Sequence, residues 1–186
     1  MTILDQLKNN PVIATLYGDS KLDLFEDNPT AFAFLANIPL VELGDVISRL
    51  REKRVFTIVN FDSIAGLSPN PDALAYIASL GASGIISTHA SAVTRAPTFN
   101  LLSIQKVFIT DRSYAERARN TIQANRPHLV QIMPWPVIPF LGQEFFDALP
   151  PFIASGFINT QEDVERSRAL GAVAVSTTQA SLWQLR

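Results

Sequence analysis

The fold is indicated most clearly by residues 152–178, which read FIASGFINTQEDVERSRALGAVAVSTT. Two short apolar runs, Phe152 to Ala154 and Val173 to Ser176, flank a helix-like segment from Gln161 to Leu170. Each apolar run breaks into small polar residues. Two buried strands joined by a helix predict a right-handed parallel crossover. The stretch therefore indicates an α/β protein.

The same alternation extends along the whole chain. Eight apolar runs of strand length are present: Val12 to Leu16, Ala31 to Leu35, Val55 to Asn60, Gly84 to Ser87, Leu102 to Ile109, Leu129 to Met133, Phe152 to Ala154 and Val173 to Ser176. The clearest helices are Leu43 to Lys53, Pro71 to Leu80, Ser113 to Asn125 and Gln161 to Leu170. Thr160 and Asp163 predict a capping box at the start of the last helix, and Gly171 predicts its C-terminal cap.

Eight such units predict an α/β fold, a small TIM-like (β/α)8 barrel in which residues 1–186 form a single domain. The segments Gly18 to Pro29 and His89 to Pro97 are too short or too broken for full helices. Shortened helices let eight units fit into a chain below the usual minimum of about 200 residues. The rival architecture is an open doubly wound sheet, but an eighth parallel strand after seven βα units favours closure.

Composition argues against several classes of function. The chain has 186 residues and a formal net charge of −2, so no excess of positive charge indicates a nucleic-acid partner. It contains no cysteine, and its two histidines lack ligand spacing, so neither a thiolate nucleophile nor a metal site is expected. Because the N-terminus carries Asp5 and Lys8 and lacks a long apolar stretch, we expect a cytoplasmic protein without a signal peptide or membrane anchor.

Small polar residues end the two strands of the opening stretch. Ser155 and Gly156 follow the first strand, and Ser176 and Thr177 end the second. Uncovered backbone N–H groups there, with the positive end of the following helix, can hold an anion without a basic side chain. In (β/α)8 barrels the loops after the last two strands frequently bind phosphate. These four residues therefore predict a phosphate site.

Two aspartates and one polar pair are further candidates. Asp62 and Asp111 follow predicted strands, where they either serve a ligand as acid, base or hydroxyl acceptor, or cap the turns and helices that follow. Gln105 and Lys106 interrupt an apolar strand, so one of them faces the barrel interior and the other the helices. An inward Lys106 would bind phosphate or form a Schiff base, and an outward one would be a surface residue.

Other conspicuous residues have ordinary explanations beside functional ones. His89 is either an active-site base or a solvated loop histidine, whereas His128 precedes a strand and is expected to be structural. Trp135 either stacks on a ligand or packs under a turn rich in proline. The basic run from Arg49 to Arg54 either contacts RNA phosphates or complements the dipole of its own helix, and we favour the second interpretation.

Six strings are more specific than composition: Pro11 to Ala14, Phe56 to Leu67, Gly84 to Thr88, Ile104 to Phe108 with Asp111 and Ser113, Ile132 to Pro134, and Gly171 to Thr177 with Leu182 and Trp183. In this order along essentially the whole chain, they resemble the glycerol uptake operon antiterminator regulatory family. The resemblance implies a small βα barrel without catalytic activity. It implies a response to glycerol 3-phosphate and an action on the leader messenger RNA of glycerol-utilisation genes, which lets transcription pass a terminator.

The resemblance also implies roles for individual residues. Those implied to cradle the ligand phosphate are Ser155, Gly156, Ser176 and Thr177, and those implied to line the pocket are Asp62, Gln105, Lys106 and Asp111. The chain departs from the family pattern at five positions. Tyr17 and His89 stand where a cation is usual, Lys106 where an arginine is usual, and Trp135 and Ser155 where glycines are usual.

These patterns leave three functions to compare. The first is a glycerol-3-phosphate-responsive antiterminator that needs no cofactor and binds a leader RNA, where a homodimer would offer a larger RNA footprint. The alternative is a phosphate-binding barrel enzyme of the isomerase or lyase type that acts on a small phosphorylated polyol. The third is an interaction scaffold that binds no phosphate. The first is favoured, and its RNA partner rests on the resemblance alone.

Overall fold

Eight parallel strands pair in chain order, and the last pairs with the first, so the sheet closes into a barrel. They are β1 Val12–Tyr17, β2 Phe32–Ala36, β3 Phe56–Asn60, β4 Gly84–Ser87, β5 Leu102–Phe108, β6 Leu129–Met133, β7 Phe152–Ser155 and β8 Ala174–Thr177. The computed structural model describes residues 3–18, 22, 25, 30–147 and 149–185. Closure runs from the pair Val12 and Val175 to the pair Ala14 and Thr177. The predicted barrel is confirmed, and the open sheet is excluded.

The first helix precedes β1, and the other helices connect the strands on the outside of the barrel. They are α1 Ile3–Asn9, α2 Leu43–Glu52, α3 Pro71–Ser79, α4 Ala90–Arg95, α5 Arg112–Asn125, α6 Gln143–Phe146 and α7 Gln161–Ala169, with 3-10 turns at Phe61–Ser63, Ala96–Phe99, Trp135–Phe140 and Ala180–Leu182. The predicted broken segment His89 to Pro97 contains the six-residue α4. Apart from residues 18, 22 and 25, the predicted broken segment Gly18 to Pro29 lies outside the described residues.

The barrel separates two apolar layers. Alternate strand residues such as Ile58, Ile104 and Ile153 fill the interior, where they contact Leu7 of α1. Because α1 precedes β1, it covers the N-terminal end of the barrel. The other strand residues pack against the helices in a second, larger cluster. The interior is therefore plugged at one end and lined by polar side chains only toward the other, C-terminal end.

Helix α7 begins with the predicted capping box. The Thr160 hydroxyl accepts from the Asp163 N–H at 3.1 Å, and the Asp163 carboxylate accepts from the Thr160 N–H at 2.9 Å. Burial alone would raise the pKa of the Asp163 carboxyl, but hydrogen bonds from Asn159 and Thr160 outweigh it, so its pKa is lowered. The helix ends at Ala169 with Leu170 as its C-cap, and the predicted Gly171 follows with a φ of +97°. Local sequence thus sets both ends of α7.

We predict that Asp163→Ala lowers the free energy of unfolding by about 1 kcal/mol at pH 7, since the capping box is lost. A lowered carboxyl pKa stabilises the fold above the usual value of 3.8 and stops doing so as the pH falls through the lowered value. The difference between wild type and variant should therefore shrink below pH 3.8 in urea unfolding. Glu162→Ala, one residue earlier in the same turn, is the control. Equal losses in both variants would contradict the prediction.

Candidate functional site

Lys106 points into the barrel from β5. It follows the interior residue Ile104 by two positions, so both side chains lie on the same face of the strand. Its Nζ donates to Asn60 Oδ1 at 2.6 Å and lies 3.6 Å from Asp62 Oδ2. The side chain is only 9% exposed. The structure therefore places this lysine inside the C-terminal mouth of the barrel.

The surroundings of Lys106 act on its pKa in opposite directions. Burial lowers the pKa of the ammonium, whereas the charge and hydrogen bonding of Asp62 raise it. Burial prevails, so the pKa lies below the usual value of 10.5. The charged form of a buried lysine of this kind is not fully stabilised by its protein partners. An anion that entered the mouth would stabilise it further.

Asp62 lies in the 3-10 turn that follows β3. One carboxylate oxygen accepts a hydrogen bond from the Ser87 hydroxyl, and the other accepts from the Thr88 N–H at 2.8 Å. These bonds come from the end of β4, the neighbouring strand. Asp62 is thereby oriented toward Lys106 and joins three strand ends across the mouth.

A second polar group lies in the middle of β6 and toward the ends of β7 and β8. The hydroxyls of Ser155 and Ser176 are hydrogen-bonded to each other, and Gln131 Nε2 donates to them at 2.8 and 3.2 Å. All three side chains are buried. Gln131 Oε1 is also buried and has no hydrogen-bond partner within the described part of the chain. An unpaired buried acceptor is costly, so this oxygen is a candidate to receive a ligand hydroxyl.

The two polar groups adjoin. Lys106 and Gln131 are register partners on the neighbouring strands β5 and β6, so their side chains project from the same face at adjacent positions. We name the combined set the mouth site: Asn60, Asp62, Lys106, Gln131, Ser155 and Ser176. Together they offer one cation, one carboxylate, two hydroxyls and two amides.

Gly156 and Thr177 shape the loops beside the mouth site. Thr177 Oγ1 donates to the Ile158 carbonyl at 2.7 Å and accepts from the Gln179 N–H at 3.0 Å. Its side chain therefore ties the loop after β7 to the loop after β8. A Cβ at Gly156 would lie 3.4 Å from both Met133 and Pro134. The glycine lets the loop after β7 approach the end of β6.

Two predicted pocket residues lie elsewhere, which corrects the expectation that they line the mouth. Gln105 faces the helix layer, where it donates to Thr121 Oγ1 at 3.2 Å and accepts from Asn125 Nδ2 at 3.1 Å. Asp111 is the N-cap of α5 and accepts from the Tyr114 N–H at 2.9 Å. It borders an outer groove of about 820 Å³ between α5 and the 137–145 segment. Strand parity explains the first correction, and capping explains the second.

A carboxylate of the chain already lies at the start of α7, beside the expected anion site. The Asp163 carboxylate accepts hydrogen bonds from the N–H groups of Asn159 and Thr160, at 3.0 and 2.9 Å. The chain itself thus supplies the negative charge at the start of α7.

The remaining conspicuous residues have mainly structural positions. Trp135 is 5% exposed, and its indole N–H donates to the Phe157 carbonyl at 3.2 Å, so it packs under the loop after β7. His89 is an exposed N-cap residue of α4. His128 contacts the Ser103 hydroxyl at 2.8 Å near the N-terminal end of the barrel. The Tyr17 hydroxyl accepts from Asn37 at the rim, at 2.7 Å.

Sequence reasoning missed two members of the mouth site as candidate ligands. Asn60 ends β3 and holds the Lys106 ammonium, and Gln131 interrupts the apolar β6 in the same way that Lys106 interrupts β5. Two polar residues inside neighbouring buried strands were the available signal. Among the described residues no group of three or more His, Asp or Glu side chains could hold a metal ion. No helix among them is long and apolar enough to cross a membrane.

A closed barrel with a cation, carboxylate and hydroxyls at its C-terminal mouth defines a small-ligand-binding protein of the (β/α)8 class. Residues 12–183 match the glycerol-3-phosphate responsive antiterminator family, and the chain belongs to that family. Its members are regulatory proteins, so the enzyme alternative is not adopted.

Individual proteins are also similar to this chain. The chain is 25% identical to the uncharacterized protein YgcP of Escherichia coli (strain K12), over 100% of this chain and 97% of that protein. The glycerol uptake operon antiterminator regulatory protein of Listeria monocytogenes has a similar structure, with a TM-score of 0.88, 23% identity and coverage of 96% and 97% of the two chains. The structure of a glycerol uptake operon antiterminator-related protein of Thermotoga maritima is also similar, with a TM-score of 0.82 and 22% identity. The similarity covers 95% of this chain and 99% of that chain. At these identities the two structures support the fold.

We predict that Lys106→Met leaves the free energy of unfolding at pH 7 unchanged or raises it. The reason is that burial destabilises the charged ammonium more than its interaction with Asp62 stabilises it. Asp62 keeps its bonds from Ser87 and Thr88 in this variant. Between the lowered pKa and 10.5 the unfolded wild-type chain binds the proton that the folded chain has released. Wild type should therefore gain stability relative to the variant as the pH rises through that window in urea unfolding. A relative loss would contradict the assignment.

Proposed function

We propose that this protein binds glycerol 3-phosphate, or a closely related phosphorylated polyol, at the mouth site. In response it binds the leader RNA of glycerol-utilisation genes, so that transcription passes a terminator. The observation that carries the proposal is the buried Lys106 beside its register partner Gln131, which donates to the Ser155 and Ser176 hydroxyls, in a chain of this family. No cofactor takes part, and the protein works in the cytoplasm.

The charge of the ligand is supported by Lys106. Its ammonium is buried, and the Asp62 carboxylate lies 3.6 Å away. A phosphate at the mouth brings a second negative charge into a site of low dielectric constant, where the attraction is stronger than in water. The serine hydroxyls supply donors to the same group, because a hydroxyl can rotate its hydrogen toward a new acceptor.

The polyol part of the ligand is supported by the acceptors of the site. Gln131 Oε1 has no protein partner among the described residues, and Asp62 presents carboxylate oxygens at the same mouth. Such atoms accept hydrogen bonds from hydroxyl groups. A site that has both a cation and buried acceptors discriminates against inorganic phosphate, which leaves the acceptors unpaired, and against glycerol, which leaves the cation unpaired.

We predict that glycerol 3-phosphate raises the thermal unfolding midpoint of the wild type. At 100 times its dissociation constant a ligand adds about 2.7 kcal/mol, which corresponds to about 5–10 °C for a chain of this size. Glycerol and inorganic phosphate should give smaller shifts at equal concentration. Lys106→Met and Ser176→Ala should lose most of the shift. The matched control is Ser167→Ala, which removes another buried serine hydroxyl, in α7, and should keep the shift.

We predict that glycerol 3-phosphate increases the affinity for a leader RNA between about fivefold and 150-fold, the usual range of coupling between two sites. Filter binding with and without the ligand measures this ratio. Lys106→Met should bind the RNA with the affinity of ligand-free wild type at every ligand concentration. An RNA affinity of the wild type that does not depend on glycerol 3-phosphate would contradict the proposed function.

A further inference from the structure

Positive charge collects before three strands, β3, β5 and β6, whereas the turn that enters the intervening β4 carries no charged residue. Arg51, Lys53 and Arg54 lie where α2 runs into β3, Arg95 ends α4 before β5, and Arg126 follows α5 before β6. All five side chains are exposed. We name these five residues the basic arc. In the described turns 51–55, 80–83, 95–101 and 126–128, Glu52 is the only acidic residue.

The opposite end of the barrel is acidic. The helices α2 to α7 follow strands and begin at the C-terminal face, and their starts or the adjoining turns carry Asp45, Asp62, Asp72, Asp111, Glu144, Glu162 and Asp163, with Arg112 as a cation among them. The net charge of −2 therefore hides a strong separation of charge between the two ends. A polyanion meets repulsion at the mouth and attraction at the N-terminal face.

Two members of the basic arc occupy unfavourable backbone conformations. Arg54 has a φ of +60° and Arg126 a φ of +48°, in the left-handed region that favours glycine. The comparable turns after α3 and α7 use Gly81 and Gly171 there, with φ of +84° and +97°. Complementing a helix dipole does not require this, because any cation in the last helical turn does so without left-handed backbone. The presence of arginine instead of glycine at these two positions therefore needs an explanation other than the helix dipole.

The character of the turns indicates the kind of partner. The exposed large apolar side chains of the described chain lie elsewhere: Tyr17, Val41, Tyr76, Phe108, Tyr114, Phe140, Phe157 and Leu170. A protein interface would need an apolar or aromatic centre, and a membrane surface would gain from apolar insertion. Exposed arginines and a lysine, with no large exposed apolar side chain in the same turns, fit a phosphate backbone.

We propose that the basic arc is the RNA-binding surface, at the barrel end opposite the mouth site, and that it contacts RNA through phosphates. This inference rests on the proposed function for the identity of the RNA. The arc crosses three inter-strand spacings of about 4.8 Å, so it extends at least about 14 Å along the rim. Arg54 and Arg126 stand at the two ends of this span.

The test is the double variant Arg54→Gly and Arg126→Gly. Glycine relieves the left-handed backbone at both positions, so the thermal unfolding midpoint should not fall. Affinity for the leader RNA, measured with saturating glycerol 3-phosphate, should fall at least about tenfold, and the slope of log affinity against log salt should decrease by about 1.4–1.8 for two lost phosphate contacts. The control Arg112→Ala removes an exposed cation at the start of α5, on the acidic face, and should change affinity less than about twofold.

Three probes test the proposed RNA-binding surface and the proposed function independently. They are the leader RNA, an unrelated RNA of equal length, and vesicles containing anionic lipid. Equal leader binding by wild type and double variant would overturn the surface and leave the proposed function intact. Equal binding of both RNAs by wild type, with loss in the double variant, would support the surface and contradict the proposed function. A wild type that binds neither RNA, or binds only the vesicles, would overturn the proposed surface.

Discussion

Closure of the sheet between β1 and β8 is the constraint on which the rest of the structure depends. Once Val12 pairs with Val175, every strand has one face inside and one outside, and the carboxyl ends of all eight strands meet at one mouth. Residues that are far apart in sequence, such as Asp62 and Ser176, are brought to the same rim. An open sheet would place β1 and β8 away from each other and divide the site.

Closure also determines how Lys106 acts. The interior residues beneath it, among them Ile58, Ile104 and Leu129, are apolar, so the ammonium lies above a layer that cannot solvate it. Asn60 and Asp62 provide the protein partners, and burial still lowers the lysine pKa. This arrangement stabilises the fold less than an apolar residue would. A buried charge with incomplete compensation is favourable for ligand binding, because the missing interaction is made when the anion arrives.

Much of the fold could be predicted because its signals are local. Continuous apolar runs marked the strands, and Thr160, Asp163 and Gly171 marked the ends of α7. The segment after β6 was not predicted as helical, because Pro136 and Pro139 are typical of a helix break, yet the segment forms the 3-10 turn Trp135–Phe140. The helix α1 was missed as well, because its main support is tertiary: Leu7 is buried against the interior of the barrel.

The site could be predicted only in part, because the sequence does not show in which direction a side chain points. Gln105 and Lys106 are adjacent and equally polar, and only the register of β5 against its neighbours decides which of them enters the barrel. Asp111 could not be separated from a ligand-binding aspartate until its bond to the Tyr114 N–H was visible. Gln131 was overlooked because one polar residue in an apolar strand is weak evidence for a site. Its register pairing with Lys106, which only the structure shows, places it beside the lysine.

The proposed ligand site and RNA surface lie at opposite ends of the barrel, yet the same strands connect them. β3 begins two residues after Arg54 and ends at Asn60, and β6 begins three residues after Arg126 and carries Gln131. Each strand has five residues and spans about 17 Å. The left-handed turns at Arg54 and Arg126 therefore lie at the opposite ends of the strands that carry Asn60 and Gln131. By linkage, RNA held at those turns must strengthen ligand binding by the same factor that the ligand strengthens RNA binding.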